Sequence, residues 1–193
     1  GVIGVYFLVR AFYPLFLILL YGSVALSLYS PVFSKIHALS EIVAGTGFGV
    51  MALGAYVTQA QVVDGTGISV FVPVSILVGL LLFLNEFPDA EADKAAGRRH
   101  LVILLGKKRS AWVYVAGLAA TYASILLAVA GRAAPFTVLI SFITTPIAYR
   151  AGRIVVKSYD RVSELVPALA SNVLAIHSTI LLLAVGFLAG LYI

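Results

Sequence analysis

Six stretches of the chain carry no Asp, Glu, Lys or Arg, and each is near the length needed to cross a bilayer as a helix. They occupy residues 12–28, 42–61, 68–84, 111–131, 133–149 and 165–193. About 20 apolar residues in an α-helix span the roughly 30 Å of hydrocarbon. In that layer every backbone N–H and C=O must be satisfied by the protein itself, which leaves helices or closed barrels. These runs lack the alternation of barrel strands, so the expected fold class is all-α. The architecture it implies is a polytopic transmembrane helical bundle, with six complete spans and a stub at residues 2–9. Pro14, Pro73, Pro135, Pro146 and Pro167 fall within spans or at their ends, where neighbouring helices can re-satisfy the freed backbone groups. Gly45 and Gly49, like Gly186 and Gly190, stand four residues apart, a spacing that predicts close helix–helix contact.

Composition agrees with lipid as the solvent. The chain is 62% hydrophobic and 11% charged, with a mean hydropathy of +1.08, far from a soluble domain. Its 193 residues suit one domain. No cysteine is present, which excludes disulfides and thiolate metal sites. A pI near 9.6 raises the question of nucleic acid. The apolar runs make a lipid bilayer the better partner for the basic residues, so no nucleic-acid partner is expected. The chain opens GVIGVYF, without a basic segment ahead of an apolar core, and so reads as having no signal peptide. Because it starts inside an apolar run, polypeptide is expected upstream.

The connections sort the basic residues by side. Segments 29–40, 85–110 and 150–164 hold 11 of the 13 Lys and Arg residues, and the alternate connections hold Arg10 and Arg132. The positive-inside rule puts the charged set in the cytoplasm and Ile193 outside the cell. Within 150–164, Arg150, Arg153, Lys157 and Arg161 share one helical face, a pattern that fits a helix lying at the interface as well as a cytoplasmic loop.

The chemistry is concentrated in "NEFPDAEADKAAGRRH", residues 85–100. Asn85, Asp89 and Asp93 recur at i, i+4 and i+8, so a helix would carry them on one face. Two carboxylates at that spacing repel by a few tenths of a kcal/mol, and a divalent cation would reverse the sign. Mg²⁺ is commonly held by one or two carboxylates, with water and phosphate oxygens completing its shell. Lys94, Arg98 and Arg99 follow and suit phosphate oxygens. Pro88 removes a backbone donor, so a helix is expected to kink or restart there. The spacing by itself fits a solvated acidic–basic loop equally well.

The stretch "NEFPDAEADKAAGRRHLVILLG" resembles the second aspartate-rich motif of the UbiA-type intramembrane prenyltransferases, and its opening is nearest the 1,4-dihydroxy-2-naphthoate (menaquinone) branch. "LYSPVFSKIHALSEIVAGTGFG" is similar to the family's connection between its fourth and fifth helices. His100 departs from the pattern, where the family usually has Thr. The resemblance implies the last six of nine helices, about the C-terminal two-thirds of the enzyme. It also implies a single membrane-embedded domain over residues 1–193 whose N-terminal helices and first Asp-rich motif belong upstream of Gly1. The implied activity is Mg²⁺-dependent transfer of an isoprenyl group from an isoprenyl diphosphate donor to an aromatic, quinone-precursor-like acceptor or another lipophilic one. In it Asp89 and Asp93 ligate Mg²⁺, and Asn85, Lys35, Lys94, Arg98 and Arg99 meet the substrate. Tyr29 has two readings, a ring shielding an allylic cation or an interfacial anchor. Lys35 reads as a diphosphate contact or as a lysine that sets topology.

Glu41 reads as a carboxylate suited to a helix dipole, and Asn172 and His177 as interhelical hydrogen-bonding groups. Trp112 reads as a belt residue. A transporter or channel whose acidic cluster binds a cation is the alternative from another class. Transporters tend to place such groups near the bilayer midplane in broken helices, whereas these carboxylates stand at the end of a span.

Overall fold

The computed structural model describes residues 2–10, 12–36 and 38–192, and among them there is no strand. The helices are α1 (Val2–Arg10), α2 (Phe12–Leu28), α3 (Leu39–Ala60), α4 (Gly65–Ala95), α5 (Leu101–Leu105), α6 (Lys107–Ala130), α7 (Thr145–Ser158) and α8 (Val162–Ala189). A short 3-10 turn, Phe33–Lys35, precedes α3, and a 3-10 segment, Phe136–Thr144, runs directly into α7. The chain is therefore all-α, as its apolar runs require. Ile193 lies outside the described residues.

Five helices are long and apolar enough to cross a membrane, where the runs of the sequence counted six. The first run is the exception. At 17 residues α2 is only about 26 Å long, and Pro31 disfavours helix at the residue before it. The others outgrow their charge-free runs. α4 has 31 residues, about 46 Å of helix. Asn85 lies about 30 Å along it, one hydrocarbon thickness. The last ten residues of α4 therefore project beyond the apolar layer, which is why carboxylates are tolerated there.

A second difference concerns residues 150–164. They form no separate interfacial helix: residues up to Ser158 belong to α7, and a short turn, 159–161, leads into α8. Phe136–Ser158 is one continuous span that carries Arg150, Arg153 and Lys157 on an exposed stripe of its last turns, with Ala151, Gly152, Val155 and Ser158 buried between them. No Gly–Pro break interrupts the segment, so α7 continues to Ser158, and the turn at 159–161 leads into α8 at Val162.

α4 is the axis of the molecule, in contact with α3, α6 and α8. Leu84 and Phe87 on α4, Tyr114 on α6, Val155 on α7 and Leu165 on α8 meet in the main core, all fully buried. Small residues set the closest approaches. A Cβ on Gly45 would run into the Ser75 carbonyl and lie 3.1 Å from the Cα of Gly79, so α3 and α4 touch backbone to backbone. One on Gly186 would stand 2.5 Å from Val138 Cα, and one on Gly190 2.6 Å from the Pro135 ring. The four-residue glycine spacing thus marks real contacts.

Polar side chains join the helices in the interior. Tyr114 donates to Asn172 Oδ1 at 2.8 Å, and Asn172 Nδ2 donates to the Leu80 carbonyl at 3.4 Å, linking α6, α8 and α4. Asn172 is the interhelical group its sequence position implied. His177 is not: its Nδ1 pairs with the Val173 carbonyl of its own helix at 2.8 Å, on an exposed face. A polar ring facing outward from a helix can satisfy itself one turn back, and no partner helix is needed.

Candidate functional site

The exit of α4 from the apolar layer builds the site. Asn85, Asp89 and Asp93 line a single cleft of about 170 Å³, as their four-residue spacing on one helix requires. Of the kink or restart expected at Pro88, the restart does not occur, and α4 runs through the proline to Ala95. Only the Leu84 carbonyl is deprived of its N–H by the proline ring, and at the periphery of a span that cost is absorbed. Asp89 makes no side-chain hydrogen bond or ion pair with the described residues. Its carboxylate is thus available to a ligand, and its proximity to Asp93 fits a hard divalent cation, which oxygen donors favour.

A glycine-dependent turn then folds the chain back on the helix. Arg98 N–H donates to the Asp93 carbonyl at 2.9 Å and Gly97 N–H to the Lys94 carbonyl at 3.1 Å, the Schellman pair that closes a helix C-terminus. It requires a left-handed residue, supplied by Gly97 at φ +79°. The reversal returns Arg98 to within 3.4 Å of the Asp93 carboxylate and seats His100 against the inner wall. His100 Nε2 lies 3.4 Å from Asp93 and its Nδ1 3.5 Å from Glu86. Burial pushes the His100 imidazole below its ordinary pKa, against the opposing pull of the Asp93 and Glu41 carboxylates.

The remaining wall comes from the segment after α2 and the start of α3. Tyr29 contributes its ring, and burial, with the Glu86 and Glu41 carboxylates, raises its pKa, so its hydroxyl keeps the proton at neutral pH. Glu41 does occupy the first turn of α3, but its carboxylate is buried and reaches across to α5. Its Oε1 accepts the Leu101 N–H at 2.6 Å, and its Oε2 accepts from the Ser40 hydroxyl at 2.5 Å.

The site residues read from the sequence divide into two groups. Asn85, Asp89, Asp93, Arg98 and Tyr29 meet in the cleft. Lys35, Lys94 and Arg99 are exposed and do not line it. Sequence reasoning passed over Glu86 and gave Glu41 and His100 no role in the site, yet Glu86 and His100 line the cleft and Glu41 stands beside them, with donor atoms of all three within 4.8 Å of one another. For Glu86 a signal was present: it follows Asn85 at the margin of a span, where a charge without a partner is costly.

The cleft adjoins an apolar trough of about 700 Å³ between α2, α3 and α4. Gly22, Ala25, Gly47, Phe48, Met51 and Val78 are among its walls. Tyr29, Ser30, Leu82 and Asn85 line both spaces, so a ligand can have a polar head in one and an apolar tail in the other.

Known proteins share part of this sequence. The chain is 30% identical over 148 residues to the 1,4-dihydroxy-2-naphthoate octaprenyltransferase of Bacillus subtilis, a match that covers 75% of this chain and 47% of that protein. It is 27% identical over 124 residues to the 2-carboxy-1,4-naphthoquinone phytyltransferase of Synechocystis sp., covering 64% of this chain and 40% of the relative. The chain therefore spans about half the length of the curated relatives it matches. No solved structure matches it. The pattern of the UbiA prenyltransferase family matches residues 1–173, and the chain belongs to that family.

Proposed function

We propose that the protein of which this chain forms part transfers an isoprenyl group from an isoprenyl diphosphate to an aromatic acceptor of the quinone-precursor type, in the membrane and with Mg²⁺. One observation carries this reading: the polar cleft and the apolar trough adjoin, with Tyr29 and Asn85 in the walls of both. An isoprenyl diphosphate has the same two-part chemistry, a polyanionic head on a hydrocarbon tail. The naphthoate and naphthoquinone acceptors named for the two relatives support an acceptor of that class.

Asp89 and Asp93 hold Mg²⁺ in this reading, and Asn85 offers a neutral polar contact beside them. Bound Mg²⁺ supplies positive charge that stabilises the departing diphosphate. Arg98, exposed and joined to Asp93 only by a long ion pair, is free to turn its guanidinium to phosphate oxygens. Tyr29 sits at the junction, where the allylic carbon would lie, and its ring face favours positive charge there. The trough walls exclude water, which would otherwise capture the allylic cation.

The test is an assay of the full-length protein with a panel of isoprenyl diphosphates and aromatic acceptors, with and without chelator. Prenylated product should appear with Mg²⁺ and vanish on chelation. If no donor–acceptor pair yields product, the reading is lost.

The trough makes a separate prediction. A side chain at Gly47 would enter open space, since a Cβ there meets nothing within 4 Å. Gly47→Phe should fold, because replacing a mid-helix glycine by a residue of higher helix propensity favours the helix by a few tenths of a kcal/mol. It should also shorten the longest isoprenyl chain accepted, as read by mass spectrometry of the products. An unchanged chain-length profile would take the tail out of the trough.

Orientation follows from the basic residues flanking the cleft. With 11 of 13 Lys and Arg on one set of connections, the cleft is assigned to the cytoplasmic face of the cell membrane. Ala95 is exposed at the end of α4. In this cysteine-free chain, Ala95→Cys in intact cells should resist an impermeant thiol reagent until the cells are opened. Labelling from outside would invert the topology.

A further inference from the structure

At the inner wall of the cleft and directly behind it stand three ligand-type side chains that diphosphate binding leaves unused. Glu41 on α3, Glu86 on α4 and His100 ahead of α5 each bring one donor atom to within 4.8 Å of the others. They are only 6%, 7% and 3% exposed, respectively. Glu86 Oε2 and both ring nitrogens of His100 are buried without a hydrogen-bond partner. Leaving one such group unpaired costs about 1–3 kcal/mol, and more when it is charged.

We propose that Glu41, Glu86 and His100 form a binding site for a divalent transition ion of the zinc or manganese class, distinct from the Asp89–Asp93 pair. A cation would satisfy the charge balance of the two buried carboxylates. Among the described residues, neither glutamate has a Lys or Arg within ion-pair distance, and buried carboxylates are ordinarily paired or metal-bound. The donor set selects the ion. Imidazole favours zinc and its neighbours in the first transition row, whereas Mg²⁺ prefers oxygen alone. Donors about 2.1 Å from a shared ion lie at most about 4.2 Å apart, so small side-chain rotations close the site.

The surroundings hold these ligands in place. The hydrogen bonds from Leu101 N–H and Ser40 Oγ fix the Glu41 carboxylate while leaving lone pairs on each oxygen, the kind of outer support metal ligands need. The three residues come from three separate elements, so a bound ion would also tie α3 and α4 to the turn before α5. The inference does not depend on prenyl transfer.

Manganese itself is the probe. The metal-free, full-length protein in detergent is titrated with Mn²⁺ and examined by pulsed electron paramagnetic resonance. Ligation by His100 should give ¹⁴N modulation, which an all-oxygen site cannot produce. His100→Thr should abolish it, and Glu41→Gln and Glu86→Gln should each weaken the nitrogen-coupled Mn²⁺ by about tenfold or more. Asp89→Asn should leave the ¹⁴N signal intact while disabling the diphosphate-side metal, so the two sites fail separately. Wild-type spectra without ¹⁴N modulation would overturn the proposal and indicate that the two carboxylates share a proton instead. Modulation that persists in His100→Thr would equally overturn it. Should His100→Thr fail to fold, the wild-type spectrum and the two glutamate variants decide.

Discussion

Full-length protein carrying Asp89→Asn is expected to lose prenyl transfer by a factor on the order of 10² or more, with its detergent elution and helix content unchanged. The substitution keeps size and hydrogen-bonding capacity and removes the charge that a hard cation needs. Stabilising a departing anion with one preorganised group is worth 10²–10³ in rate in comparable sites, so a metal ligand should count for at least about that. Asp89 is the cleaner of the two aspartates because it has no side-chain partner among the described residues. Asp93→Asn should be at least as damaging, since Asp93 also meets Arg98 and His100. Glu91 is exposed and outside the cleft, and Glu91→Gln should remain close to wild type. Mg²⁺ with a non-reactive donor analogue should raise the unfolding temperature of the wild type by mass action, and Asp89→Asn should shrink that shift. Wild-type turnover in Asp89→Asn and Asp93→Asn would reduce the stretch to a charged surface segment.

Gly45→Leu should be among the most destabilising single substitutions in the bundle. Even the first carbon of a side chain would collide with the Ser75 carbonyl and press on Gly79. Both obstacles are backbone, which cannot turn aside as a rotamer can. Overpacking costs about 1–3 kcal/mol and sometimes more, and here the leucine must also push two helices apart. Gly45→Ala should already lower the unfolding temperature. Gly47→Ala, two residues on and facing open space, should be neutral or mildly stabilising through helix propensity. The contrast between the two alanines separates packing from propensity. Equal unfolding temperatures for both would place the α3–α4 contact elsewhere. Glu41 and Glu86 ride on these two helices, so Gly45→Leu should impair the site as well.

The chain's apolar runs decided a good deal without any coordinates. Lipid leaves the backbone one practical way to satisfy itself in such runs, so an all-α bundle followed directly. Four-residue spacing is helix geometry, which is why Asn85, Asp89 and Asp93 were legible as one face and do line one cleft. The glycine pairs were readable as helix contacts for the same reason. Other features depend on which helices meet. Nothing local to Glu41 says that its carboxylate reaches residue 101, a bond that spans 60 positions. The burial of Glu86 and His100 likewise arises only when α3, α4 and the turn before α5 converge. Lys94 and Arg99 show the opposite effect, since adjacency in the motif put them with Arg98, yet the Schellman turn leaves them outside the cleft. The end of the first span and the continuation of α7 past Arg150 were also settled in three dimensions, where buried Ala151, Gly152 and Val155 hold the helix together behind its charged stripe. Periodicity along one helix is a property of the sequence, whereas the pairing of distant side chains depends on how the helices pack.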